Sequence, residues 1–183
     1  MSNAFAGLHT VGSGSYDADD VHFLLRAMEI EVTDVQEKER LIQTQQRHYS
    51  EMISQEDAPS DTHKRLYQLA LAQNGARMAA DVQSLAQALN ERYTGASIAL
   101  VSFVRAGLPL GVLLRRALVG LGRDARHYGI SIIRDRGIDN VALEAIIKTH
   151  GADNIVFDLG AVGKGYALEE IPNDITRRTP ASF

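Results

Sequence analysis

Three turns in the second half of the chain carry residue types suited to holding an anion. Arg105-Ala106-Gly107 follows a run of β-branched and aliphatic residues, Ser97 to Val104, and precedes a helically spaced segment. The chain therefore passes from strand to helix through an Arg-Gly turn. Backbone N–H groups at a helix start point outward unpaired, and the helix dipole favours negative charge there. A guanidinium adds a planar, permanently charged fork that matches phosphate oxygens. Arg134-Asp135-Arg136 forms the second turn. Asp158 opens the third, the glycine-rich run Leu159-Gly160-Ala161-Val162-Gly163-Lys164-Gly165. The three together favour an anionic, phosphorylated ligand. A fourth polar group, Arg47-His48-Tyr49-Ser50-Glu51-Met52, offers a ligand many polar contacts. The alternative for His48, Tyr49 and Ser50 is an ordinary loop around a buried Tyr49, since a lone histidine is more often a structural hydrogen-bonding group. Gly12-Ser13-Gly14-Ser15 has neither a preceding strand nor a following Gly-Lys-Ser/Thr, so a phosphate loop there is disfavoured.

These turns need elements to aim them. Asp17 or Asp19 is placed to cap a helix over Ser15 to Arg26, with Val21, Leu24 and Leu25 on its apolar side. Thr33 begins a second helix, with Gln36 completing a capping box. The longest helical region runs from about Ser60 to Tyr93, and Leu66, Leu69, Ala70, Ala76, Ala80, Leu85, Ala88 and Leu89 form its expected apolar face. Asn74-Gly75 either interrupts it or is tolerated within one helix. Strands are expected over Ser97–Val104, His127–Arg134 and Asn154–Asp158, with helices from Gly111, over Asn140–His150 up to Gly151, and briefly over Tyr166–Glu170. Such alternation implies a parallel sheet with right-handed crossovers. Ligands bind such sheets at the carboxyl ends of the strands, where all three turns fall. The expected division is an N-terminal arm over 1–14, a helical region packed on the core over 15–95, an α/β core over 96–171 and an irregular tail over 172–183.

Composition narrows the function. With 183 residues, 45% of them hydrophobic and 23% charged, the chain suits a soluble globular domain with a sizeable core. Its net charge of −4 disfavours nucleic acid as a partner. The absence of cysteine rules out disulfides, thiolate metal sites and a thiol nucleophile within these residues. No apolar run approaches the ~18 residues of a membrane span, and the N-terminal residues lack a signal-peptide layout. A cytoplasmic protein without membrane contact is expected.

The segments G-S-Y-D-A-D-D-V-H-F-L-L, R-H-Y-S-E-M, V-R-A-G-L-P-L-G-V-L-L-R-R-A-L, H-Y-G-I-S-I-I-R-D-R-G-I-D and F-D-L-G-A-V-G-K-G run in order from about Gly14 to Gly165. Together they resemble a bacterial phosphoribosyltransferase-like family of tellurium-resistance gene clusters, sometimes labelled a StiP-type cysteine protease. The resemblance implies an α/β fold with a parallel sheet of the type I phosphoribosyltransferase type and an N-terminal helical region. It implies that Arg105, Ala106 and Gly107 form a pyrophosphate loop and that the Gly160–Gly165 loop cradles a ribose phosphate. It further implies that Arg105 and Lys164 hold phosphate oxygens and that Asp158 contacts ribose hydroxyls or Mg2+. Arg134, Asp135 and Arg136 would then meet the leaving group or the acceptor. The family loop V-D-G-W-T-G-K-G is altered here, with Leu159, Ala161 and Val162 in place of its Asp, Trp and Thr, and Leu108 replaces a common Thr. The leading expectation is a phosphoribosyl transfer enzyme that binds a phosphorylated ribose donor or nucleotide. The alternatives are a non-catalytic nucleotide-binding module or an assembly fragment, and a homodimer, if tight and without ligand binding, favours the last.

Overall fold

The computed structural model describes residues 11–95, 97–133 and 137–158. Its elements in chain order are β1 (His22–Phe23), α1 (Val35–Gln43), α2 (Asp61–Arg92), β2 (Ser97–Phe103), α3 (Leu108–Gly120), β3 (Asp124–Ile130), β4 (Ile132–Ile133), β5 (Gly137–Ile138), α4 (Asn140–His150) and β6 (Ile155–Asp158). The chain divides into two compact units, Met28–Met78 and the residues on either side of that segment.

In the larger unit the main sheet has the order β1-β3-β2-β6, with every pair parallel. The expected parallel α/β arrangement is therefore present. β2 is central and buried from Ile98 to Phe103, as a near-continuous apolar run in a parallel sheet should be. Alternate side chains point to opposite faces. Ala99, Val101 and Phe103 pack with Tyr128 and Ile130 against Ala142 and Ile146 of α4. Ile98 and Leu100 pack with Ala125 against Leu114 and Leu118 of α3 and Val82 and Ala86 of α2. Full burial of Phe103 alone is worth about 1.5–3 kcal/mol.

Several boundaries differ from those read in the sequence. The expected helix over Ser15–Arg26 is instead a set of turns leading into β1, which pairs His22 with Tyr128 and Phe23 with Gly129. The Asp20 carboxylate accepts from the Asp17 amide at 3.2 Å, so the acidic run folds on itself rather than capping a helix. Gly14 sits there at φ 62°, a left-handed conformation that suits glycine. Asp34, rather than Thr33, caps α1, accepting from the Gln36 and Glu37 amides. α3 begins at Leu108 because Pro109 fits a helix's first turn, where no N–H is needed. β3 begins at Asp124 and ends at Ile130, and the residues after it form the separate antiparallel pair β4–β5. Asn74-Gly75 lies inside one continuous α2, with the Asn74 side-chain amide donating to the Ala70 carbonyl at 2.9 Å. Of the expected apolar face of α2, Leu89 packs against the core, but Leu66, Leu69 and Leu85 are exposed, and the buried residues are Val82 and Ala86.

In the smaller unit, Val32 bridges Ile53 in parallel and α1 precedes a 3-10 turn over Tyr49–Glu51. α4 matches its expected span. Asp139 caps it by accepting from the Ala142 amide at 3.1 Å, and Gly151 ends it at φ 78°. Because α4 packs Ala142 and Ile146 into the core on one face of the sheet, its cap bears on global stability. Replacing Asp139 with Ala should lower unfolding free energy by about 0.5–2 kcal/mol in a urea titration, with an unchanged slope.

Candidate functional site

The polar centre of the larger unit lies on the α3 face of the sheet, near the carboxyl ends of the strands. Ser102 follows Ile98 and Leu100 along that face of β2, and the register sets it opposite Asp158 on β6. His127 belongs to the same face of β3, two residues after Ala125. Ser102 and His127 have no solvent exposure and Asp158 very little. The His127 Nε2 lies 2.8 Å from Ser102 Oγ, and its Nδ1 lies 2.9 Å from the Asp20 carbonyl oxygen. A carbonyl only accepts, so Nδ1 carries hydrogen. Burial pushes the His127 ring below its ordinary value of 6.5, against the opposing pull of the Asp20 carbonyl and the Asp158 charge. Asp158 Oδ2 lies 3.2 Å from the same Ser102 Oγ, as an alternative acceptor for its one hydrogen.

Asp20 joins this centre to the surface. Its carboxylate accepts from Arg116 Nε at 2.8 Å and Nη2 at 2.6 Å, and Arg116 reaches Asp17 at 2.9 Å as well. The Arg116 guanidinium holds the Asp20 carboxyl below its usual value of 3.8, although burial pulls the other way. Asp20 thus fastens residues 13–20 to α3 by its side chain and to β3 by its carbonyl.

That fastened segment forms one wall of a cleft of about 650 Å³. Gly12, Gly14, Ser15 and Tyr16 face Phe23 of β1, Val104 and Arg105 after β2, and Leu108 at the start of α3. Its volume falls in the range of small-ligand sites, and its position is the one expected for a parallel sheet.

The sequence-derived site residues separate into three groups. Arg105 and Ala106 are exposed at the turn after β2, Gly107 is buried beneath them, and Asp158 lies beside Gly107. His48, Tyr49 and Ser50 fall in the smaller unit and interact locally, with His48 Nδ1 2.7 Å from Ser50 Oγ and Tyr49 partly exposed rather than buried. Arg134, Asp135, Arg136, Gly160, Ala161, Val162, Gly163, Lys164 and Gly165 lie outside the described residues, as do most of the expected arm and the tail. Asp158, the expected magnesium contact, is not at the surface: its carboxylate faces Ser102 inside the fold. Nor do the described residues include a group of three or more His, Cys, Asp or Glu that could hold a metal ion.

Reading the sequence locally missed Asp20, Ser102, His127 and Arg116. The available signals were a hydroxyl inside an apolar strand and an Asp-Ala-Asp-Asp run, neither of which names a partner. Ser102 and His127 have the atom types of a hydrolytic dyad, yet α3 closes over them. A Cβ at Gly111 would collide with both His127 Nε2 and Ser102 Oγ, so no substrate carbonyl reaches the hydroxyl.

Comparison with known proteins decides the family. A model described as "Tellurite-like stress resistance cysteine protease StiP" matches residues 14–180. The chain belongs to the StiP family. It is 53% identical over 167 residues to a protein of Acinetobacter baylyi named "Cysteine protease StiP". That match covers 91% of this chain and 43% of the relative, so the chain spans less than half of the relative's length. No solved structure matches. These findings support the tellurium-resistance side of the sequence resemblance. They overturn the expected phosphoribosyl transfer and its nucleotide-binding alternative, because the StiP family and this relative are named for a cysteine protease. Among the described residues no helix is long and apolar enough to cross a membrane.

Two outcomes follow from the StiP chain's buried centre. Gly111→Ala should lower stability by about 1–3 kcal/mol in denaturant titration, since backbone and a buried ring must shift to admit the methyl group. His127, His22 and His150 are all held below 6.5 by burial. The unfolded chain therefore takes up protons that the folded chain refuses. Stability should be fully present above pH 6.5 and fall as pH drops below it, measurable as a declining urea midpoint. The Asp20–Arg116 contribution should begin to be lost only near and below 3.8.

Proposed function

We propose that this chain is the substrate-binding α/β part of a StiP-type enzyme that acts in tellurite-like stress resistance. The cleft beside Arg105 receives an apolar portion of a polypeptide substrate. The observation that carries this reading is the cleft itself, about 650 Å³ in volume and lined chiefly by Val11, Phe23, Leu25, Val104 and Leu108. Apart from Val11 and Gly12, its walls come from the stretch that matches the StiP family. The 183 residues contain no cysteine, so they supply no thiol nucleophile, and the role proposed for them is binding. We assign Arg105, exposed at the cleft, to orienting a carbonyl or carboxylate of the substrate, because a guanidinium donates through several N–H groups at once.

What supports a type I phosphoribosyltransferase architecture for the sheet is its parallel order around β2, with the cleft at the strand ends. That reading concerns the architecture alone, and the cytoplasm is its proposed place of action. Gly12 tests the substrate role without disturbing the core, since it is exposed on the cleft wall and a Cβ there would meet nothing within 4 Å. In cells lacking the native gene, Gly12→Trp in the full-length protein should accumulate normally yet fail to restore tellurite tolerance. Tolerance equal to that of the unaltered protein would count against the cleft.

A further inference from the structure

Ser102 has one hydroxyl hydrogen and three acceptors around it. His127 Nε2 is 2.8 Å away, Asp158 Oδ2 3.2 Å and the Gly107 carbonyl 3.4 Å. The Asp20 carbonyl keeps hydrogen on Nδ1, which leaves Nε2 of a neutral ring as a bare acceptor. In that state the hydroxyl hydrogen goes to His127, the nearest of the three. When the ring gains a proton, Nε2 becomes a donor to Oγ. The same hydroxyl hydrogen is then directed to Asp158, and a charge-assisted chain runs from ring to carboxylate.

We propose that Ser102 is a positioning residue whose hydroxyl turns between His127 and Asp158, so that the protonation of His127 sets how the Asp158 carboxylate is held. Every element around the ring contributes to the balance. Asp20 in the N-terminal segment and Asp158 on β6 favour the charged ring, Arg115 on α3 opposes it, and Ser102 on β2 relays it. Gly111 keeps α3 from occupying the space that the relay needs. Asp158 ends β6 and directly precedes the glycine-rich run of residues 159–165. The device therefore acts at a strand end of the kind where parallel sheets meet their ligands. It does not depend on the identity of the substrate.

The test is a carbon and nitrogen NMR titration of the labelled full chain from about pH 8 downward until the His127 ring signals have passed through their transition. It follows the Asp158 carboxyl carbon and the His127 ring nitrogens. In the unaltered chain the Asp158 signal should show an inflection at the midpoint of His127, in addition to any of its own. Above that midpoint, Nε2 should have the shift of an unprotonated acceptor. In Ser102→Ala the His127 transition should persist while the shared inflection on Asp158 disappears, and Ser102→Thr should restore it. An Asp158 signal that ignores the His127 midpoint in the unaltered chain overturns the proposal. So does an inflection that survives unchanged in Ser102→Ala, because charge acting through space would then suffice. If Ser102→Ala does not fold, the unaltered chain still decides: a hydrogen on Nε2 above the midpoint removes the acceptor on which the relay is built.

Discussion

The two nitrogens of His127 impose the central constraint on this fold. One donates to a backbone carbonyl in the N-terminal segment and the other meets a hydroxyl on the central strand, both without access to water. A buried imidazole is tolerated only when both nitrogens find partners. The chain therefore has to bring Asp20, Ser102 and His127 together, though more than eighty residues separate the first two in sequence. Glycine at position 111 follows from the same constraint, because α3 must cross directly above the pair. So does the turn before β1: Asp20 has to present its carbonyl inward while its carboxylate faces Arg116.

The StiP family and the Acinetobacter baylyi relative, of which this chain matches 43%, are named for a cysteine protease, while these residues contain no cysteine. A serine and a histidine in contact would be a tempting substitute for the thiol. Their burial argues for a different role, since a nucleophile needs room for an incoming carbonyl and for an oxyanion beside it. The proposed substrate cleft is accessible by contrast, and its glycine-containing wall is fixed from behind by the Asp20 contacts. Buried polar groups and surface cleft are thus parts of one arrangement, with the former holding the latter.

Much of the parallel core could be read from local pattern. The apolar run of β2, the capped and glycine-ended α4, and β6 all carry strong signals, because burial on both sheet faces demands continuous apolar residues and helix ends demand particular side chains. β1 could not be read, since a two-residue strand has no periodicity and owes its pairing to β3. The start of α3 was obscured by Pro109, which looks like a turn residue although it suits a first helical turn. The Ser102–His127 contact depends on the register between β2 and β3, where Leu100 rather than Ser102 is opposite His127. Register is a non-local property, and a shift of one residue would have turned either side chain to the other face.

The brevity of β1 has a consequence for how the molecule behaves in a crowded solution. Among the described residues β1 engages only Tyr128 and Gly129 of β3, so the earlier part of β3, from Asp124 to His127, gains no partner from it on that side. An uncovered strand edge is a template on which another chain can assemble. Here Asp124 and Arg126 stand along that stretch with half-exposed side chains, their charges 3.4 Å apart. A foreign strand docking there would have to strip water from both ions, which makes the edge a poor seed for aggregation despite the apolar core directly behind it.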